Sequence, residues 1–131
     1  MITAIIQARL SSTRLPKKIL YKIDDKNILQ HLFSQLSYST QIENKIIATT
    51  NEKIDNKIEE IAESLNIPCF RGNSLNVLDR YYNCAKLFNL DTIVRISGDA
   101  PLIDPAIVDR TIEYYKKNDF DYVSNFFKRT F

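Results

Sequence analysis

Apolar positions along this chain switch repeatedly between two spacings. Residues 2–8 (Ile-Thr-Ala-Ile-Ile-Gln-Ala) are almost continuously apolar over a strand's length, the pattern of a strand buried on both faces. From Asn27 to Tyr38, the residues Ile28, Leu29, Leu32, Phe33 and Leu36 share one helical face. The β-branched run Lys45–Thr50 predicts a second strand. Ile54, Ile58, Ile61, Ala62 and Leu65 mark a second amphipathic helix. Ile67-Pro68-Cys69-Phe70 follows as a short third strand, and its proline implies a strand start or an edge position. A third helix is expected from near Ser74, which would cap it, with Leu78, Tyr81, Tyr82, Ala85 and Phe88 in the core. Thr92–Ile96 reads as a fourth strand. Asp104-Pro105 opens a fourth helix, with Ile107, Val108, Ile112 and Tyr115 on its apolar face. Asp121–Asn125 begins a fifth strand.

Strand and helix alternating at this spacing predict an α/β fold, a parallel sheet covered by helices on both faces. No repeat, linker or low-complexity segment divides the chain, so residues 1–131 are expected to form a single domain. In such a sheet, ligands bind beyond the carboxyl ends of the strands.

Composition narrows the classes. Apolar residues make up 44% and charged residues 26%, as in ordinary globular proteins. A net charge of +2 is too small for bulk electrostatic binding of nucleic acid, so any functional positive potential must be local. No apolar run reaches the roughly 20 residues of a membrane span, and the first apolar run has no cationic region ahead of it, unlike a secretory signal. Cys69 and Cys84 fit no ligand spacing for zinc, and the chain has one histidine. A cytoplasmic protein with reduced, unreactive thiols is expected.

The strand ends are where the chemistry collects. After the first strand, Arg9, Arg14, Lys17 and Lys18 are interleaved with Ser11, Ser12 and Thr13, and no acid intervenes. Guanidinium forks and hydroxyls together suit a polyphosphate, whereas a merely solvated basic loop, the competing reading, is usually lysine alone. Both glycines of the chain follow strands, Gly72 in Arg71–Ser74 and Gly98 in Ser97–Asp99, where backbone must turn or approach a ligand closely. Asp99 is placed either to hold Mg²⁺ that keeps most of its waters or to cap its own turn. Arg95 needs a partner if buried, through an ion pair or a ligand. Asp79 and Arg80 read as an exposed or interfacial salt-bridging turn, and His31 as structural. No Ser/His/Asp system can be assembled, and neither a Walker loop nor G-x-G-x-x-G is present.

Taken in order, these segments resemble one family. Ala8-Arg9-x-x-Ser12-Thr13-Arg14-Leu15-Pro16-x-Lys18 is similar to the N-terminal signature of the sugar-acid cytidylyltransferases, which include the CMP-KDO and CMP-sialic acid synthetases. Ala48-Thr49-Thr50, Phe70-Arg71-Gly72-Asn73 with Val77–Tyr81, Val94–Pro105 and Asp121–Asn125 agree in order and spacing, most closely with the spore-coat polysaccharide branch. The resemblance implies a Rossmann-like nucleotidyltransferase fold and transfer of CMP from CTP to a sugar acid, with release of pyrophosphate and a need for Mg²⁺. It implies Arg9, Arg14 and Lys18 as the catalytic cations on the triphosphate, with Ser12 and Thr13 beside them. Ala8 and Arg9 would add backbone contacts, Arg71 and Ser74 would lie by the base or ribose, Ser97 by the base, and Asp99 on the metal.

Three departures modify this. Lys17 stands where a glycine is common. Ser97 stands where the two synthetases usually carry Gln, which admits another nucleotide or a sugar 1-phosphate. The family is nearly twice as long, and its second half supplies another metal-binding acid, much of the sugar pocket and a homodimer contact. The competing expectation is therefore a nucleotide-binding module without an acceptor site.

Overall fold

The computed structural model describes residues 1–126. It contains strand β1 (Ile2–Gln7), a small hairpin of β2 (Lys22–Ile23) and β3 (Lys26–Asn27), helix α1 (Ile28–Leu36), strand β4 (Asn44–Thr50), helix α2 (Asn56–Ser64), strand β5 (Cys69–Gly72), helix α3 (Val77–Leu87), strand β6 (Thr92–Ser97) and helix α4 (Pro105–Lys117). The main sheet has the order β5-β4-β1-β6 and every pairing in it is parallel. The α/β fold, a Rossmann-like parallel sheet with helices on both faces, is therefore as expected.

The central position of β1 follows from its composition, since only a strand flanked on both sides and covered on both faces can be so uniformly apolar. Ala4 and Ile6 face Leu29, Leu32, Leu36, Ile58, Ala62 and Ile112, from α1, α2 and α4. Ile5 faces the other way, with Ile46 and Ala48, against Tyr81 and Cys84 of α3. Ile5 and Ile6 are fully buried and contribute roughly 1.5–3 kcal/mol each. Helix starts are chemically marked. Asn27 accepts from the Gln30 amide while the Gln30 side chain accepts from the Asn27 amide, a capping box, and Asp104 accepts from the Ala106 amide. The Nε2 of His31 lies 2.7 Å from the Ile23 carbonyl, tying the hairpin to α1.

Several expectations shift. The third strand starts two residues later than its apolar run, with Pro68 before it, and β5 is an edge strand, as the proline implied. Helix α3 is capped by Asn76, whose side chain accepts from the Asp79 amide at 3.0 Å, and not by Ser74. Its inward face carries Arg80, Tyr81 and Cys84, so Leu78 and Tyr82 point outward at 70% and 61% exposure instead of into the core. Ile54 is likewise 42% exposed, outside α2. Residues 121–125 do not form the expected fifth strand and pair with no described strand. Tyr122 and Phe126 are exposed, at 73% and 79%.

Candidate nucleotide site

The chain leaves β1 to build β4 and β5 on one side, then crosses back to place β6 on the other. That reversal creates a topological switch point between β1 and β6, the place where open α/β sheets bind ligands. The carboxyl ends of these two strands are pressed together. The Gly98 amide donates to the Gln7 carbonyl at 2.7 Å, and a Cβ at Gly98 would lie 2.9 Å from both that oxygen and the Ala8 Cβ. Glycine is required there by close approach, and its φ is not positive.

The loop after β1 is held at both ends and open between them. Leu10 and Ile19 are buried in the core, while Ser11, Thr13, Arg14 and Lys17 are exposed. The Lys17 amide donates to the Leu10 carbonyl at 3.0 Å and closes the loop. Lys17 has φ 57°, a left-handed conformation that favours glycine, which explains in backbone terms why the related signature carries glycine there. The Leu10 amide donates at 2.8 Å to Asp55, a fully buried carboxylate that also accepts from the Thr50 hydroxyl. Asp55 thus fixes the loop to the end of β4. The sequence reading missed it, although an acid shortly after a strand-ending Thr-Thr is a detectable signal.

These constraints surround a cleft of about 530 Å³ whose lining includes Arg9, Ser12, Thr13, Arg14, Lys18, Ser97 and Asp99. Across it, Lys18 Nζ meets Asp99 Oδ2 at 2.5 Å, and the Ser97 hydroxyl donates to Asp99 Oδ1 at 2.5 Å. Hydrogen bonds from Lys18 and then Ser97 hold the Asp99 carboxyl below the usual carboxylate value, outweighing its partial desolvation. A smaller hollow of about 220 Å³, lined by Leu15, Tyr21, Ile28 and Pro101, shares Lys18 and Asp99 with the cleft.

Other expected residues are placed elsewhere. The Ala8 amide is used by the sheet, donating to the Ala48 carbonyl at 3.1 Å. Arg71 clamps residues 50–59, donating to the Thr50 and Glu52 carbonyls, to Asn56 and to Glu59 at 2.9 Å. Neither Arg71 nor Ser74 lines the cleft. Arg95 is exposed and lies 4.5 Å over the Tyr81 ring in a cation–π contact, with no ion pair among the described residues. Arg80, expected in an exposed or interfacial salt-bridging turn, is fully buried without an ion pair among the described residues. Its phase with Val77 and Cys84 on α3 was the available signal. Burial pushes the Cys69 and Cys84 thiols up to about 11, so both act as small apolar groups. No described helix is long and apolar enough to cross a membrane.

Among the described residues there is no cluster of three carboxylate, histidine or cysteine side chains able to hold a metal by itself. A lone, ionised Asp99 in a cationic cleft nevertheless fits Mg²⁺ as that ion is usually bound, by one or two carboxylates, waters and the phosphates of a substrate.

Comparison with known proteins agrees with this architecture. The cytidylyltransferase family model matches residues 3–131. An uncharacterised protein of Methanocaldococcus jannaschii is 47% identical over 94% of this chain and 51% of its own length. The 3-deoxy-manno-octulosonate cytidylyltransferase of Solibacter usitatus is 36% identical over 85% of this chain and 43% of its own. The spore coat polysaccharide biosynthesis protein SpsF of Bacillus subtilis is 32% identical over 95% and 54%. A cytidylyltransferase structure from Leptospira borgpetersenii superposes with a TM-score of 0.85 at 42% identity, covering 90% of this chain and 50% of that one. The chain thus spans about half the length of the curated relatives it matches. With the fold, the strand-end loop and these likenesses in agreement, the chain belongs to the cytidylyltransferase family.

Proposed function

We propose that this chain provides the nucleotide half of a transferase that moves CMP from CTP to a sugar acid and releases pyrophosphate, in the making of a surface polysaccharide or glycan. The observation that carries the reading is the cleft at the switch point, where the cations of the loop after β1 face Asp99. Arg9, Arg14 and Lys18 would bind the triphosphate oxygens, with Ser12 and Thr13 donating beside them. Attack at the α-phosphorus needs charge neutralisation and in-line positioning more than a covalent nucleophile, which suits a site without a catalytic histidine.

Asp99 would hold Mg²⁺, which would supply further charge neutralisation for the phosphates. For Asp99 to take that role, Lys18 must release it, and an arriving phosphate is the natural new partner for the ammonium. Ser97 would keep the freed carboxylate oriented. The similarity to a 3-deoxy-manno-octulosonate cytidylyltransferase supports a sugar acid as acceptor, and the similarity to SpsF supports polysaccharide synthesis. Ala8, Arg71 and Ser74 lie outside the cleft lining, so the base and ribose are assigned to Ser97 and the Arg9 backbone. A cytoplasmic homodimer is the assembly we propose for the enzyme.

The test is pyrophosphate release from CTP, Mg²⁺ and 3-deoxy-manno-octulosonate or a panel of other sugar acids. Turnover supports the transferase reading. Because the chain covers about half of its relatives, a second reading applies to these 131 residues taken alone. Saturable CTP binding without turnover would select a nucleotide-binding module that lacks its acceptor site.

A further inference from the structure

Arg80 is the anomaly of this molecule. Its side chain is 0% exposed, yet among the described residues only Nη1 has a hydrogen-bond partner, the Asn73 carbonyl at 2.7 Å. Its Nε and Nη2 atoms are buried without one. A guanidinium removed from water with two donor atoms unmet is costly, and folded proteins keep such groups where something else requires them. The carboxylate that acts on it, Asp55, has its oxygens engaged by the Leu10 amide and the Thr50 hydroxyl. Burial first, and the like charge of Arg9 second, disfavour the protonated form of Arg80.

Its position connects this charge to the cleft. Helix α3 packs on the sheet face that carries Ile5, Ile46 and Ala48. The register places Gln7 beside Ala48 and Ser97 beside Gln7, so both of these cleft residues belong to that same face. Arg9, within electrostatic reach of Arg80, lines the cleft as well. We propose that Arg80 is a positioning residue for a polyphosphate ligand: an unpaired buried charge on the α3 side of the cleft, poorly screened by water, whose field is neutralised when the anion binds. Contact is not needed, because low-dielectric surroundings carry its attraction over several ångströms. The proposal rests on the nucleotide reading only in taking the ligand to be a polyphosphate.

Arg80 thus serves binding at the expense of stability. The experiment uses the intact 131-residue protein, Arg80→Gln, which can still donate to Asn73 but has no charge, and Arg80→Lys, which keeps the charge. Inorganic tripolyphosphate and uncharged cytidine are titrated calorimetrically, and thermal unfolding is followed in parallel. Arg80→Gln is expected to unfold at the same or a higher temperature and to bind tripolyphosphate about tenfold more weakly. Arg80→Lys should recover most of that affinity, with cytidine binding unchanged throughout. Wild-type affinity in Arg80→Gln, or equal losses in both variants, would overturn the proposal, as would a wild-type protein that binds no tripolyphosphate. If Arg80→Gln does not fold, Arg80→Met is read by the same criteria. Tripolyphosphate binding that depends on Arg80, with no preference for CTP among nucleotides, would uphold this proposal and remove the cytidylyl reading.

Discussion

Lys18 and Asp99 are 81 positions apart in sequence, and their side chains meet at 2.5 Å between a basic cleft and a smaller, largely apolar hollow. The contact depends on the close packing of two strand ends, Gly98 against Gln7 and Ala8. Both side chains remain more than a third exposed, so the pair adds little to stability. Its value is positional, since it holds a carboxylate and an ammonium where a nucleotide's phosphates and metal would meet them.

Replacing Asp99 with Asn separates its possible roles. A metal ligand predicts that Mg²⁺ no longer strengthens CTP binding, a loss of about tenfold in the metal-dependent part, on the scale of one charge-assisted contact. Calorimetry with and without Mg²⁺ measures this. An unchanged Mg²⁺ effect would reduce Asp99 to a turn-capping residue.

Arg14 is exposed, and its loop is anchored by other residues. Arg14→Ala should change unfolding free energy by no more than about 0.5 kcal/mol and weaken CTP binding about tenfold. Unchanged affinity would remove its phosphate role.

Asp55 gives the opposite expectation. Asp55→Ala leaves the Leu10 amide and the Thr50 hydroxyl without their acceptor in a buried place. Denaturant unfolding should show a loss of about 1–3 kcal/mol, and nucleotide affinity should fall too because the loop is released. Lys17→Gly acts on the same loop in the other direction. Removing the Cβ from a left-handed residue should raise stability by about 0.5–1 kcal/mol, after the greater freedom of glycine in the unfolded chain is counted. A loss of stability would show that the Lys17 side chain matters more than its backbone.

The Asp99 carboxyl should titrate by NMR below its ordinary value of 3.8, because Lys18 and Ser97 stabilise the charged form. A group with a lowered folded pKa contributes its stability in full above the unfolded value and loses it as pH falls through the folded one. The bridge should therefore persist at pH 5, and Lys18→Met should move the Asp99 titration upward. Titration at or above 3.8 in the wild type would contradict the observed contacts.

Much of this was legible from residue patterns. The continuous apolar run of β1 pointed to a central strand, and Asp104-Pro105 marked the start of α4. The interleaved cations and hydroxyls marked the loop that lines the cleft. What escaped was tertiary in origin. Leu78 and Tyr82 sit at helical spacing but outside the core, because Arg80 occupies an inward position that hydrophobicity assigns to an apolar side chain. Arg71 appeared free to meet a ligand because its partners, at Thr50, Glu52, Asn56 and Glu59, come from another part of the chain. Asp55 looked like one polar residue among many until folding placed Leu10 and Thr50 against it.

The most direct test of the central claim is calorimetric titration of the 131-residue protein with CTP, UTP, GTP and ATP in the presence of Mg²⁺, repeated with Arg14→Ala. The account predicts saturable binding with CTP the tightest of the four, weakened in the variant. Equal affinities for all four nucleotides, or no binding of CTP, would contradict it.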